Sequence, residues 1–328
     1  MSRRPLRSRL ALALTTVALA TGLVACSTGS GADDLGLAAA PSEEPTEEPT
    51  SGPTAPPVEC DDALASYEPF ETQPAPDELP AGSTMAEIRE RGALVVGVSG
   101  DTLLMSARNP ETGVIEGFDI DILREISRAI FDDPDRLQLR VITSAQRLEV
   151  LESGEVDLVA RTFTITCTRW ESIAFSAEYL HAGQKVLVAV GSPAQGLEDL
   201  AGQRVCAPQA TTTLSRLEEY PVEAVAAPTH SQCLALFQQG RVDAITGDDT
   251  ILAGFAAQDP YAVVVGEAIS DEPYGIGVPA ENVDMVRFVN GVLEELVADG
   301  TWQELYETWL GVLGPAPEPP TPVYGREP

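Results

Sequence analysis

Short apolar runs alternate with segments of helical periodicity from residue 83 to residue 313, and this alternation limits the folds open to the chain. The runs Leu94–Val98 and Leu137–Ile142 have the length and composition of buried strands. Between them, isoleucines spaced four residues apart from Ile122 form one face of a helix. Strand, helix and strand in this order predict an α/β fold with a parallel sheet and helices on both of its faces.

The pattern restarts after Ser176 and predicts a second half built around its own sheet. Strands are indicated at GQKVLVAVG, at Arg204–Cys206 and at Val242–Ile245, with helices at TTTLSRLEEY and DDTILAGFAAQ. Two closing helices lie on either side of Gly300. A chain that crosses to a second half and returns is expected to leave a cleft between two lobes, where ligands commonly bind.

Polar residues follow a predicted strand at Val156–Val159, in the segment ARTFTITCTRW. In open α/β sheets, ligands bind beyond the carboxyl ends of the strands. Thr162 and Thr164 would share one face of an extended segment, and Arg169 follows five residues later. Two hydroxyls beside a planar guanidinium suit a small carboxylate, although a surface arginine and ordinary strand threonines would give the same pattern in this segment alone.

The first 25 residues have the pattern of an export signal. Arginines precede an apolar run from Leu10 to Ala25, which is too short and too poorly flanked to be a stable membrane span. The residues LVAC resemble a bacterial lipobox, which implies cleavage before Cys26 and lipidation of its thiol. Arg3 and Arg4 leave twin-arginine export open beside the general route. We expect a mature protein held by its lipid on the outer face of the cytoplasmic membrane.

Composition sets three further segments apart from the two lobes. Residues 26–58 are rich in Pro, Glu, Ser and Thr and are expected to form a disordered tether. Residues 59–82 contain aromatic residues and are expected to lie against the body, whereas residues 314–328 are predicted to be a disordered tail. The four arginines of the export signal are removed with it, so the formal charge changes from −31 to −35. Such a surface excludes electrostatic binding of nucleic acid.

Four cysteines remain after Cys26, and an even number in an exported protein indicates two disulfides with three possible pairings. We favour Cys206 with Cys233, because both fall in the second half, and therefore Cys60 with Cys167. A zinc site is the alternative, but there is no CxxC spacing and the chain has only two histidines. We therefore predict no metal site.

Several motifs together resemble those of the bacterial extracellular solute-binding proteins of family 3, and among them the glutamate/aspartate-binding lipoproteins of amino-acid ABC transporters. They are EGFDIDI, ITSAQR, GEVDLVARTFTIT before RWESIAFS, THSQCLALFQQGRVDAI, DDTILAG and YGIGVP. The resemblance implies a type II periplasmic-binding-protein fold, with two mixed or parallel sheets flanked by helices and joined by a two-strand hinge. Residues 83–182 and 275–313 would form lobe 1, and residues 183–274 would form lobe 2.

The resemblance also implies a function. A monomer would capture an extracellular amino acid by lobe closure and present it to an ABC importer, without any cofactor. A sensor that signals to a membrane partner is the alternative. Some related two-lobed proteins are dehydratases or lyases, but the sequence shows no nucleophile and base that would support an enzyme.

Position by position, the resemblance implies how the two charged groups common to all amino acids would be bound. Arg169 would hold the α-carboxylate, aided by Thr164 and by the backbone amides of Thr211–Thr212. Asp248 would receive the α-ammonium group, with the carbonyl of Thr162 nearby. A simple helix cap is the alternative role for Asp248.

The resemblance likewise implies a pocket for an acidic side chain. A helix is expected over Ala145–Glu152, with Ser144 as its cap and Arg147 in its first turn. Ser144 and Arg147 would hold the side-chain carboxylate, and His230 would complete the pocket. A surface charge and a capping histidine are the alternatives for these last two residues. Arg161 would supply a charge that these binders usually carry elsewhere, although strand alternation points it away. Glutamate, aspartate, asparagine and glutamine are not separated by these residues.

Overall fold

The structure, a computed structural model, describes residues 62–327. The predicted export signal, the lipidation of Cys26, the tether and Cys60 lie outside the described residues. The strands of the described part are β1 (Ala65–Ser66), β2 (Leu94–Val98), β3 (Asp101–Thr102), β4 (Ser106–Arg108), β5 (Ile115–Glu116), β6 (Leu137–Val141), β7 (Leu158–Val159), β8 (Ile173–Phe175), β9 (Leu180–Ala189), β10 (Arg204–Pro208), β11 (Glu223–Ala227), β12 (Ala244–Asp248), β13 (Ala262–Val265), β14 (Asp271–Tyr274), β15 (Gly277–Pro279) and β16 (Val323–Tyr324). The α-helices are α1 (Thr84–Arg91), α2 (Phe118–Phe131), α3 (Arg147–Glu152), α4 (Cys167–Trp170), α5 (Thr212–Arg216), α6 (His230–Gln238), α7 (Asp249–Gln258), α8 (Val283–Ala298) and α9 (Thr301–Leu310).

Two mixed sheets form the centres of two lobes. The first has the strand order β6-β2-β7-β15-β8, with β2 parallel to both of its neighbours and β15 antiparallel to its own. The second has the order β11-β10-β12-β9-β13, with β10 parallel to its neighbours and β9 antiparallel to β12 and β13. The predicted α/β fold with helices around mixed or parallel sheets is confirmed.

Two antiparallel strands, β9 and β14, connect the lobes. The first part of β9 pairs with β14, from Leu180 opposite Tyr274 to Gly183 opposite Asp271, and the rest of β9 runs on inside the second sheet. One strand is therefore shared between the crossing and the second lobe, as a hinge of two strands requires. The predicted lobe boundaries, between residues 182 and 183 and between residues 274 and 275, stay a prediction.

The predicted helical face of α2 forms part of the core of the first lobe. Ile122, Ile126 and Ile130 are fully buried, and the ring of Phe118 meets the edge of Trp302 with centroids 6.2 Å apart. Burial of side chains of this size stabilises the fold by roughly 1.5–3 kcal/mol each. The four-residue spacing therefore identified both the helix and its buried side.

The helix predicted after β6 begins differently from the expectation. The amide and hydroxyl of Thr143 both donate to the side-chain oxygen of Gln146, at 2.9 and 3.1 Å, and a 3-10 turn over Ser144–Gln146 leads into α3. The prediction that Ser144 is the cap was wrong, because its hydroxyl is engaged by Arg161 instead.

The C-terminal residues lie against the first lobe, so the prediction of a disordered tail was wrong for its described part. Strand β16 pairs in parallel with β1, Val323 opposite Ala65. The hydroxyl of Tyr324 donates to Glu294 at 2.8 Å, and Arg326 stacks on the ring of Trp170. Proline-rich composition suggested disorder, but partners distant in sequence supply the contacts that order this segment.

One predicted disulfide is present, between Cys206 on β10 and Cys233 on α6. Cys167 is also disulfide-bonded, but Cys60 is outside the described residues, so the Cys60–Cys167 pairing stays a prediction. Within residues 62–327, no helix has the length and apolar character needed to cross a membrane, and no three His, Cys, Asp or Glu side chains are grouped so as to hold a metal ion.

Replacing both cysteines, Cys206→Ala with Cys233→Ala, is expected to lower the free energy of unfolding. The bridge closes a segment with a sequence separation of 27, for which loop entropy predicts a loss of about 3.5 kcal/mol. Denaturant unfolding measures it. A loss below about 1 kcal/mol would contradict a stabilising role for this bridge.

Candidate functional site

A small cavity lies between the lobes, at the carboxyl ends of β7, β10 and β12. Its lining comes from both lobes and is almost entirely polar: Arg147, Thr162, Thr164, Arg169, Thr211, Thr212, Thr213, His230, Asp248 and Ile251. Eight of the ten ligand-binding residues that the sequence predicts are brought together here. The other two, Ser144 and Arg161, are buried behind the lining.

The guanidinium of Arg147 is largely occupied by the protein itself. It is 3% exposed and donates to four main-chain carbonyls, those of Ser144 at 3.0 Å, Arg161 at 3.4 Å, Thr162 at 3.3 Å and Ala210 at 3.0 Å. Because a guanidinium has five N–H donors, about one remains for a ligand. The bond to Ala210 reaches the second lobe and so ties the lobes together.

Arg161 acts on the site from behind. Its Nε donates to the carbonyl of Ile142 at 2.8 Å and its Nη1 to the hydroxyl of Ser144 at 2.5 Å. Burial lowers the pKa of Arg161 to about 10, with Asp101 and Asp119 partly opposing the shift, so the group stays charged at neutral pH. Arg161 therefore contributes positive charge without lining the cavity.

The ring of Phe163 packs against the guanidinium groups of two arginines of the site. The guanidinium carbon of Arg147 lies 4.4 Å from the centroid of its ring, and that of Arg169 lies 4.9 Å from it. Arg169 also donates to the carbonyl of Thr164. Burial lowers the pKa of Arg169 to about 10, and the charges of Glu272 and Asp248 partly offset that effect. An aromatic face stabilises a cation, so Phe163 helps to hold both groups in place.

The backbone at Thr162 is strained and is held by a buried acid that sequence reasoning missed. Thr162 has φ of +42°, which is unusual for a β-branched residue. Its amide donates to Asp119 Oδ2 at 3.1 Å, and Tyr179 donates to Oδ1 at 2.7 Å. Burial raises the pKa of Asp119 to about 6, although these two bonds oppose the shift. The available signal was an acid three residues before Ile122, on the apolar face of α2.

Asp248 ends β12 and faces the cavity from the second lobe. It occupies the N-cap position of α7, but its side chain makes no capping hydrogen bond, so the alternative role of a simple cap does not apply. Its Oδ2 accepts from the hydroxyl of Tyr274 at 2.5 Å. Burial, and then the charge of the nearby Glu272, raise the pKa of Asp248 to about 8, while the hydrogen bond from Tyr274 and the charge of Arg147 oppose the shift.

His230 and Thr211 begin the two helices that close the second-lobe side. His230 is 4% exposed, and its Nδ1 is buried without a hydrogen-bond partner in the described part of the chain. Burial, and then the charges of Arg161 and Arg147, lower the pKa of His230 to about 3, so the imidazole is neutral at pH 7. The hydroxyl of Thr211 accepts from the amide of Leu214 at 3.1 Å and caps α5.

Glu272, on the crossing strand β14, is the second functional residue that sequence reasoning missed. It is 1% exposed, and its Oε2 accepts from Thr164 at 2.8 Å and from Thr212 at 2.7 Å. Its Oε1 accepts from Ser270 at 2.8 Å. One carboxylate in the hinge thus binds a hydroxyl from each lobe. The only sequence signal was an acid two residues before Tyr274 in a strand next to YGIGVP.

The arrangement places guanidinium groups and a carboxyl group on opposite sides of a small cavity. The first lobe contributes Arg169 and Arg147, and the second contributes Asp248, which suits a small molecule with both an anionic and a cationic group. The neutral His230 and the single free donor of Arg147 lie on the lining as well. These are the properties of a binding site for a small zwitterion.

Comparison with known proteins shows what the chain is similar to. Residues 94–312 match the model of the bacterial extracellular solute-binding proteins, family 3. The ABC transporter glutamine-binding protein GlnH of Bacillus subtilis is 34% identical over 69% of this chain and 84% of that protein. The glutamate-binding protein GluB of Corynebacterium glutamicum is 34% identical over 68% of this chain and 80% of its own. A crystal structure of a variant of ArgBP from T. maritima has 31% identity and a TM-score of 0.65, and the match covers 69% of this chain and 99% of that one.

Substitution Glu272→Ala is expected to lower the free energy of unfolding by about 2 kcal/mol, because the buried hydroxyl of Thr164 and the partly buried hydroxyls of Thr212 and Ser270 lose an acceptor. Denaturant unfolding measures the loss. Glu267→Ala, at an exposed glutamate in the turn before β14, is the control and should leave stability within about 0.5 kcal/mol of the wild type. Equal stabilities of the two variants would contradict the bridging role of Glu272.

Proposed function

The chain belongs to the bacterial extracellular solute-binding proteins of family 3, and on that basis we propose that it captures one acidic amino acid or its amide between its lobes and presents it to an ABC importer. The observation that carries the proposal is the opposition of Arg169 in the first lobe to Asp248 in the second, both on the same cavity. Relatives named for glutamine and for glutamate support the same ligand class.

In this proposal the α-carboxylate binds Arg169 and the first amides of α5, at Thr211–Thr212. Amides in the first turn of a helix have no partner within the helix and suit an anion. The hydroxyl proton of Thr164 is already donated to Glu272. A hydroxyl has a single proton to donate, so Thr164 would contribute by positioning its carbonyl and the guanidinium of Arg169, rather than by a direct bond to the carboxylate.

The α-ammonium group would bind Asp248. The raised pKa of that carboxyl reflects its burial and the nearby charge of Glu272. An ammonium would supply a positive charge there, and a charge-assisted hydrogen bond of this kind is roughly twice as strong as one between neutral groups. The carbonyl of Thr162 would lie nearby, as the family resemblance implies.

The ligand side chain would meet Arg147 and His230, while Ser144 and Arg161 would support these two residues from behind the lining. The free donor of Arg147 and the unpartnered Nδ1 of His230 suit a side chain with oxygen atoms. Two buried guanidiniums beside a neutral imidazole favour a carboxylate over an amide. We therefore propose glutamate or aspartate first, and glutamine or asparagine second.

Ligand binding would favour the closed arrangement of the lobes. A ligand shifts such an equilibrium by its difference in affinity for the two states, and here its contacts would come from both lobes. Direct contacts between lobes also exist: Asp101 accepts from the hydroxyl and the amide of Ser231, at 2.5 and 3.3 Å. The importer would then recognise the closed form, with lipidated Cys26 keeping the protein at the outer face of the cytoplasmic membrane.

The proposal is tested by a thermal-shift screen of the mature protein against the twenty amino acids. Glutamate and aspartate are expected to raise the melting temperature, because a ligand at 100 times its dissociation constant adds about 2.7 kcal/mol to stability. A larger shift with glutamine would place the amides first. No shift with any amino acid would refute the proposed function.

The site assignment is checked by calorimetry on two variants. Arg169→Ala is expected to weaken binding of the amino acid found in the screen by more than about 100-fold, the equivalent of roughly 3 kcal/mol. Arg204→Ala is the matched control, since Arg204 is partly exposed and pairs with Asp243 on the second lobe. Equal affinities of the two variants would remove Arg169 from the site.

Binding is expected to release a proton below pH 8. The pKa of Asp248 is raised to about 8, so its carboxyl is protonated at pH 6.5, and an ammonium beside it would drive that proton off. Affinity should therefore rise with pH, by up to about tenfold per unit, and level off above pH 8. Calorimetry at pH 6.5 in two buffers of different ionisation enthalpy measures the release, and Asp248→Asn should abolish it. Binding without proton exchange would contradict the assignment.

A further inference from the structure

The helical turn that carries Arg169 is too short to hold itself in place. Helix α4 spans only Cys167–Trp170, and helices of this length are unstable without tertiary contacts. The orientation of Arg169 therefore depends on what packs against α4. The residue next to Arg169, Trp170, contacts segments that are distant in the sequence.

The segment before the first lobe, residues 62–82 and here called the N-terminal extension, contacts Trp170 directly. The indole Nε1 of Trp170 donates to the carbonyl of Ala63 at 2.8 Å. The ring of Tyr67 meets the indole edge-on, with centroids 6.2 Å apart. The hydroxyl of Ser66 donates to the carbonyl of Phe175 at 2.8 Å. This extension thus holds both α4 and the strand β8 beside it.

The C-terminal residues close over the other side of the same ring. The guanidinium carbon of Arg326 lies 3.8 Å from the centroid of Trp170. Its Nε donates to the carbonyl of Ala65 at 2.9 Å and its Nη2 to that of Asp62 at 3.1 Å. We use the term terminal clasp for residues 62–67 and 323–326 together. Arg326 joins the two halves of the terminal clasp and also lies on the ring of Trp170.

A row of aromatic rings links the terminal clasp to the site. Trp170 packs on Phe175 with centroids 5.6 Å apart, and Phe175 packs on Phe163 at 4.9 Å. Phe163 is the ring beneath the guanidiniums of Arg147 and Arg169. Close-packed rings transmit displacement, since no free volume absorbs it.

We propose that the terminal clasp is a positioning device for amino-acid binding and that Arg326 is its central positioning residue. The inference rests on the proposed function of Arg169 and extends it to two segments, residues 62–67 and 323–326, that lie outside the part matched by the family, residues 94–312. Arg326 does not touch the ligand. It fixes Trp170, and through α4 and Phe163 it fixes the guanidinium of Arg169.

Calorimetric titration of Arg326→Ala with the amino acid identified in the screen tests this role. Loss of a cation over an aromatic ring is expected to weaken binding by about three- to tenfold. Arg326→Lys keeps a cation over Trp170 and should recover part of the affinity. Intrinsic fluorescence of Arg326→Ala should also change, because Trp170 loses the group that covers it.

Arg287→Ala separates positioning from stability. Arg287 holds the same N-terminal extension by a bond to the carbonyl of Glu68 at 2.9 Å and by stacking at 4.8 Å on Phe70, but Phe70 makes no ring contact with Trp170 in the described chain. Arg287→Ala should lower the melting temperature of the free protein about as much as Arg326→Ala does, but it should leave the affinity for the amino acid unchanged. Equal affinities of the wild type and Arg326→Ala, or equal losses in both alanine variants, would overturn the proposal. Failure of the wild type itself to bind any amino acid would refute the proposed function, and with it the positioning role that rests on that function.

Discussion

Removal of charged groups from water is the constraint on which the rest of this structure depends. Several ionisable side chains meet between the lobes, and a buried charge without partners is costly. Arg147 is satisfied by main-chain carbonyls, and Glu272 by three hydroxyls. Within the described residues Asp248 accepts from the hydroxyl of Tyr274, and burial together with the charge of Glu272 raises its pKa. In the function proposed above, the ammonium group of the ligand would place a cation beside Asp248.

Features that depend on local sequence could be predicted. The spacing of Ile122, Ile126 and Ile130 predicted the buried face of α2, and β2 lies where the apolar run indicates. Polar residues at the carboxyl ends of predicted strands gave most of the cavity lining, because parallel strands deliver their ends to one edge. The family motifs imply ligand-binding roles for these residues, and those roles stay predictions.

Features that depend on distant partners could not be predicted. Glu272 meets Thr164 across 108 residues, and nothing local to β14 indicates that contact. The contact of Arg326 with Trp170 joins a residue that composition assigned to a disordered tail to the helical turn α4. Even the start of α3 was misjudged, since Ser144 has the right residue type for a cap but its hydroxyl accepts from Arg161. Competition among partners for one side chain is decided by the assembled fold.

The parallel pairing of β1 with β16 places the first and last strands of the described chain side by side on one lobe. The second lobe is then an insertion, reached only through β9 and β14. A circular permutant that joins the paired ends and opens an exposed turn of the second lobe would keep the hinge intact. New termini created there would move with that lobe, which makes this fold a convenient frame for a genetically encoded optical reporter of amino-acid concentration.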